Sequence, residues 1–92
     1  MRLDLFLKAS RLCPRRSVAQ QLCDAGLASL NGTAAKSAHS VKPGDEITVR
    51  RRDRVIRIRV LALPATRQTS PQQAATLYEN LSDEPVVGEF DN

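Results

Sequence analysis

Arginines set beside single carboxylates are the groups in this chain best placed to do chemistry. Arg2 and Asp4 lie two residues apart at the start, Arg15-Arg16 opens a later apolar stripe, and Arg50-Arg51-Arg52-Asp53-Arg54 runs on into Arg57 and Arg59. A guanidinium presents a planar fork of N–H donors that matches phosphate or carboxylate oxygens, so these groups suit anion recognition. The parts for other chemistry are missing. His39 is the one histidine and stands in a polar loop with no nucleophile or orienting group beside it, which argues against acid–base work. Cys13 and Cys23 lack the paired CxxC spacing of a zinc site, and one histidine cannot complete it. The four glycines are scattered turn residues rather than a phosphate-cradling loop. The expectation is a binding protein with no catalytic residue, no metal site and no cofactor, and not an enzyme.

The distribution of charge points the same way. Residues 1–60 carry thirteen Lys or Arg against five Asp or Glu, whereas residues 61–92 carry one against five, within a net charge of +4. A basic module followed by an acidic tail implies a polyanionic partner, and nucleic acid is the first such partner. Ninety-two residues, 41% of them hydrophobic, make one small domain with a modest core. The N-terminus has no apolar run of the secretory kind and no stretch approaches the ~20 apolar residues of a membrane span. The two cysteines resemble small core residues more than a disulfide. A cytoplasmic, reduced, monomeric protein without a membrane partner is expected.

The elements that must position the arginines follow from the apolar periods. Leu3, Phe6 and Leu7 recur at helical spacing, with Asp4 in the first turn, where a carboxylate suits the helix dipole. This helix should fade near Cys13, ahead of Pro14, which then suits the first position of a second helix. Val18 with Leu22 and Ala19 with Cys23 give that helix its stripe, and Gly26 stops it. Asn31-Gly32 and Lys42-Pro43-Gly44-Asp45 are turn signals. Ile47 and Val49, then Ile56, Ile58 and Val60, alternate with polar residues as two half-buried strands, leaving Arg57 and Arg59 on the open face. From Pro64 the composition is that of a linker, with one short helix expected over residues 71–81 and a frayed end over 82–92. The expected fold is α+β: two N-terminal helices packed on a small twisted, mainly antiparallel sheet, then a short C-terminal helix and a frayed tail. The expected division is residues 1–63 as the binding domain and 64–92 as linker, short helix and acidic tail.

Arg2-Leu3-Asp4-Leu5-Phe6-Leu7-Lys8, Arg11, Arg15-Arg16-Ser17-Val18-Ala19, Leu22, Gly26, Asn31-Gly32 and Pro43-Gly44-Asp45 together resemble the RNA-binding domain named after the fourth small-subunit ribosomal protein. The resemblance covers about residues 1–60. It implies RNA lying against the second helix and neighbouring basic residues. Among stand-alone chains of this length, the opening heptapeptide is similar to small bacterial ribosome quality-control factors and to fifteen-kilodalton heat-shock proteins. Both groups bind large ribosomal subunits obstructed by peptidyl-tRNA. The short acidic tail fits the first group better, which implies stabilising peptidyl-site tRNA while a stalled chain is tailed. The implied partners are large-subunit ribosomal RNA, tRNA and a nascent-chain tailing factor. Heat-shock-type subunit recycling and a DNA-binding regulator using the second helix are the alternatives.

On this reading Arg15 and Arg16 contact phosphate, since cations at a helix start oppose the dipole and gain nothing locally. Arg2 would meet a phosphate while Asp4 orients a neighbouring arginine such as Arg16. Lys8, Arg11, Gln20 and Lys36 would flank them. Arg50, Arg51, Arg52, Arg54, Arg57 and Arg59 would form an RNA track, because six close cations repel unless something neutralises them. Phe6 is expected in the core, and Tyr78 and Phe90 in the tail, so the basic face offers no aromatic for base stacking. Recognition should rest on the backbone and shape of folded RNA.

Overall fold

The computed structural model describes residues 1–65 and 69–85. Two helices, α1 (Leu3–Ala9) and α2 (Arg16–Asp24), precede four strands, β1 (Ala28–Leu30), β2 (Thr33–Ala34), β3 (Glu46–Arg50) and β4 (Arg54–Val60). A short helix α3 (Pro71–Ala75) and a fifth strand β5 (Tyr78–Pro85) follow among the described residues. The strands form one sheet in the order β2-β1-β3-β4-β5, every neighbour antiparallel. The fold is α+β.

The core lies between the helices and one face of the sheet. Leu3, Phe6 and Leu7 from α1 meet Ala19 and Cys23 from α2, over Ala28, Ile47, Val49, Ile58 and Val60 from the strands. Period two in β3 and β4 sends these apolar residues inward and leaves Thr48, Arg57 and Arg59 outward. Both cysteines are free and buried within this layer. Asn31 and Gly32 take positive φ at 53° and 87°, as a tight primed hairpin turn requires. Asn31 also spans to the second turn: its Nδ2 donates to Asp45 Oδ1 at 3.1 Å, and its Oδ1 accepts from the Glu46 amide at 2.9 Å. Two turn motifs fourteen residues apart are thereby one hydrogen-bonded unit.

Four local expectations are corrected. The first helix ends at Ala9 rather than near Cys13, because Arg11 takes a left-handed φ of 63° and turns the chain inward, where the Cys13 amide bonds to Leu7 O at 3.1 Å. Pro14 consequently lies in the connecting bend, and Arg15, in extended conformation, precedes the first turn of α2. The C-terminal helix stops at Ala75 instead of Leu81, although its start is well specified by Pro71 and by a reciprocal Ser70–Gln73 capping box. Leu77 then enters the core and residues 78–85 pair along the whole of β4, so 82–85 are strand, not frayed end. The open edge of β4 supplies backbone partners that outweigh local helix preference, as tertiary pairing commonly does. The part of the expected frayed end at 86–92 lies outside the described residues.

Candidate nucleic-acid interface

The N-terminus of α1 is assembled on a loop from elsewhere in the chain. The Leu3 amide donates to His39 O at 2.8 Å and the Asp4 amide to Ser37 O at 3.1 Å, so two of the orphan donors of the first turn are filled by backbone. Val41 N reaches Met1 O at 2.7 Å on the other side of this junction. The loop carrying Lys36 is therefore fixed against the segment carrying Arg2 and Asp4.

Asp4 is completely buried, yet it is a carboxylate. Burial without partners would be costly, and four residues supply them. Arg2 donates from Nε to Oδ1 at 3.1 Å and from Nη2 to Oδ2 at 3.2 Å. Arg16 Nε and Gln20 Nε2 both donate to Oδ2, at 3.2 and 3.1 Å. The Leu5 amide donates to Oδ1 at 2.8 Å. Burial pushes the Asp4 carboxyl up, but the bonds from Arg2, Gln20, Arg16 and the Leu5 amide outweigh it and hold the group below its ordinary 3.8. The carboxylate thus joins α1 to α2 as a charged hinge pin.

The two arginines differ from their anchor in exposure. Their side chains are 43% and 41% exposed while that of Asp4 is sealed. Arg16 spends only Nε on Asp4, leaving both Nη groups without a protein partner among the described residues. Arg15, next to it, is exposed, and no side chain among the described residues caps the start of α2. Uncapped first-turn amides with two guanidiniums beside them form a site suited to a phosphate group. One carboxylate between two guanidiniums leaves the cluster cationic.

The other candidate residues separate into classes. Arg11 reaches back to the C-terminal segment, donating from Nε and Nη2 to Thr69 O at 3.2 and 2.6 Å, while Thr69 Oγ1 donates to Ala9 O. Arg51 donates from Nη1 to Leu12 O at 3.2 Å, bracing the α1–α2 bend. The strand arginines are neutralised from within: Arg54 pairs with Asp83 at 3.0 Å, Arg57 with Glu46 at 3.2 Å, and Arg59 with Glu46 and Glu79 at 3.4 and 3.1 Å. The repulsion invoked for a six-arginine track is therefore already relieved at three of its positions. Lys8 on α1 is half-buried and Lys36 exposed.

Sequence reasoning missed the neutralising partners. Glu79 and Asp83 belong to β5, which the helix expectation disguised, and only their acidic character against the basic β4 could have flagged them. Among the described residues no three His, Cys, Asp or Glu are grouped to hold a metal ion, and no helix is long and apolar enough to cross a membrane.

Comparison with known proteins gives a consistent picture. The S4 domain model matches residues 1–47. The chain is 45% identical over 86 residues to the RQC P-site tRNA stabilizing factor of Bacillus subtilis, covering 94% of this chain and 98% of that one. It is 36% identical over 86 residues to the factor of the same name from Streptococcus pneumoniae, with 94% and 96% coverage. Among solved structures, the trimeric heat shock protein 15 of Vibrio cholerae superposes with a TM-score of 0.80 at 31% identity, covering 89% of this chain and 82% of that one.

Proposed function

As the chain belongs to the S4 domain family and, within it, to the RQC P-site tRNA stabilizing factors, we propose that it binds large-subunit ribosomal RNA and holds tRNA in the peptidyl site of obstructed large subunits. It supports ribosome quality control and tailing of the stalled chain, alongside a tailing factor, as a cytoplasmic monomer that catalyses nothing itself. The observation that carries this reading is the Asp4 cluster, in which a sealed carboxylate fixes Arg2, Arg16 and Gln20 while the guanidiniums remain half open to solvent. Orientation by a buried partner lowers the entropy lost when an arginine meets a phosphate, which favours a fixed RNA surface over a loose polycationic one.

In this reading Arg2, Arg15 and Arg16 touch phosphate, Lys8 and Lys36 flank them, and Asp4 and Gln20 act by orienting arginines. Arg11 serves the interface indirectly, through the bend it anchors to Thr69. Residues 1–63 carry the RNA contacts, and residues 64–92 serve the module through β5. The scarcity of aromatics on this face supports recognition of backbone and shape rather than of splayed bases.

The test is sucrose-gradient sedimentation of a tagged copy from lysate, with tRNA probed in each fraction. Co-migration with large subunits that carry tRNA is the expected result; absence from every ribosomal peak at low salt refutes the proposal. Co-migration with tRNA-free large subunits would refute the tRNA contact while leaving the contact with ribosomal RNA. About five phosphate contacts should give a log–log salt slope near −3.5 on non-duplex RNA, and a flat response would remove the electrostatic basis.

A further inference from the structure

The tip of the β3–β4 hairpin is more strongly basic than its role as a turn requires. Arg50, Arg51, Arg52 and Arg54 surround a single acid, Asp53, within five residues. Solubility alone needs no such density, and like charges this close repel. The structure sorts them by what they touch. Arg54 is tied to Asp83 and Arg51 to Leu12 O. Arg50 and Arg52 are exposed and have no side-chain partner among the described residues; Asp53 is exposed and forms no ion pair among them.

The tip is also held in a definite place. The Arg50 amide donates to Leu27 O at 2.8 Å, just past the C-terminal end of α2. The Arg51 side chain bonds Leu12 O, just before the N-terminal end of α2. Arg51 N closes the hairpin on Arg54 O at 2.8 Å. Two consecutive residues thus fasten the hairpin to both flanks of the helix that bears Arg16. A carbonyl partner orients Arg51 without cancelling its charge, unlike the carboxylates on Arg54, Arg57 and Arg59.

We propose that the hairpin tip is a second RNA-backbone contact, in which Arg50 and Arg52 meet phosphates and Arg51 locks them in register with the α2 surface. The contact rests on the RNA-binding reading above and extends it, since it takes a phosphodiester run longer than the α2 surface alone would span. The strand arginines beyond the tip contribute less, because Glu46, Glu79 and Asp83 already occupy them. Binding of RNA there would have to displace an internal carboxylate instead of a diffuse counterion.

The test compares salt dependence of binding to purified bacterial large subunits carrying peptidyl-site tRNA, and separately to deacylated tRNA alone. Removing one phosphate-binding cation lowers the log–log slope by ~0.7–0.9. Arg50→Ala/Arg52→Ala should therefore lower it by roughly 1.5 and weaken binding about tenfold at low salt, with unchanged melting temperature. Arg52→Glu should weaken binding more than Arg52→Ala. Arg57→Ala/Arg59→Ala should lower the slope by less than the tip pair does. Arg51→Ala should weaken binding while leaving the slope nearly unchanged, and its circular dichroism shows whether the bend is intact. An unchanged slope in the tip pair, with Arg16→Ala still impaired, overturns the second contact and leaves the α2 surface standing. If Arg16→Ala also binds as wild type does, the RNA-binding reading itself fails. Weakening confined to subunits, with binding to free tRNA kept, assigns the tip to ribosomal RNA; weakening on both probes assigns it to tRNA.

Discussion

Replacing Asp4 by Asn tests the site at its centre. The side chain keeps its shape but loses its charge and one acceptor oxygen. Asp4 accepts five hydrogen bonds from Arg2, Arg16, Gln20 and the Leu5 amide. Bonds to a charged partner contribute ~1.5–3 kcal/mol and neutral ones ~0.5–1.5, so each arginine loses about 1 kcal/mol. The new amide N–H₂ also faces Arg16 or Gln20, donor against donor, for about 1 kcal/mol more. Side-chain exposure of 43% and 41% lets both arginines recover hydration, which offsets about 1 kcal/mol of this sum and removes the larger penalty that applies when a lone charge stays buried. The net is about 2 kcal/mol, or a fall in Tm of ~8–16 °C for a chain of this size.

The same substitution carries a signature in pH. The Asp4 carboxyl lies below 3.8 in the folded protein and near its ordinary value when unfolded. Its stabilisation is therefore complete above the unfolded value and is lost as pH falls through the lower folded value. The gap in Tm between wild type and Asp4→Asn should be full at pH 7 and narrow steadily as the pH is lowered from about 4. Thermal unfolding followed by circular dichroism measures it, and other carboxylates cancel because both proteins share them. A gap that stays constant from pH 7 to pH 2, or no gap at pH 7, refutes the argument. RNA binding should weaken as well, although the variant gains a unit of positive charge. The loss of fixed geometry at Arg2 and Arg16 outweighs that gain in charge.

Three further outcomes are expected. Burial, with Asp4, Cys13 and Asp24 adding to it, pushes the Cys23 thiol up to about 11, and burial pushes Cys13 up too, against the influence of Arg51. Iodoacetamide at neutral pH should thus label neither thiol until denaturant is added, as followed by mass spectrometry; rapid native labelling would contradict their placement. Leu77 is 5% exposed in the core, so Leu77→Ala should cost ~2–5 kcal/mol, and deletion of residues 69–92 should lower Tm further by unpairing β4. A deletion variant as stable as the full chain would refute the structural role of β5.

What could be read from the residues followed from local rules. Alternation of Ile47 and Val49, then of Ile56, Ile58 and Val60, reports one buried face whatever the rest of the chain does. Asn31-Gly32 must turn because both residues tolerate positive φ. The pairing of Asp4 with Arg16 was legible as one of several options, and Gln20 lies one helical turn beyond Arg16 on the same face. Features set by distant partners were hidden. Arginine at position 11 gives no hint of left-handed backbone, which is imposed by the inward course of Leu12 and Cys13. Residues 78–85 show no clear alternation, and their strand state comes from the edge that β4 offers.

The charge pattern shows why the net value is a poor guide to binding capacity. An arginine facing a carboxylate presents little net field, so Arg54, Arg57 and Arg59 make β4 look basic in sequence while Asp83, Glu46 and Glu79 cancel most of it. An arginine facing a carbonyl keeps its full charge and gains a fixed position, as Arg11 and Arg51 do. The Asp4 cluster is intermediate: one acid serves two guanidiniums, so part of the charge survives and both groups are oriented. Glu79 from the C-terminal strand joins Glu46 in quieting the open face of the sheet and Asp83 neutralises Arg54 beside the tip, while the Asp4 cluster and the rest of the hairpin tip keep net charge. That asymmetry gives a ten-kilodalton module one electrostatic face, and it depends on β5 being paired to β4. Unpairing β5 would expose Arg54 and Arg59 and spread the positive field over the sheet, which favours non-specific binding to any polyanion.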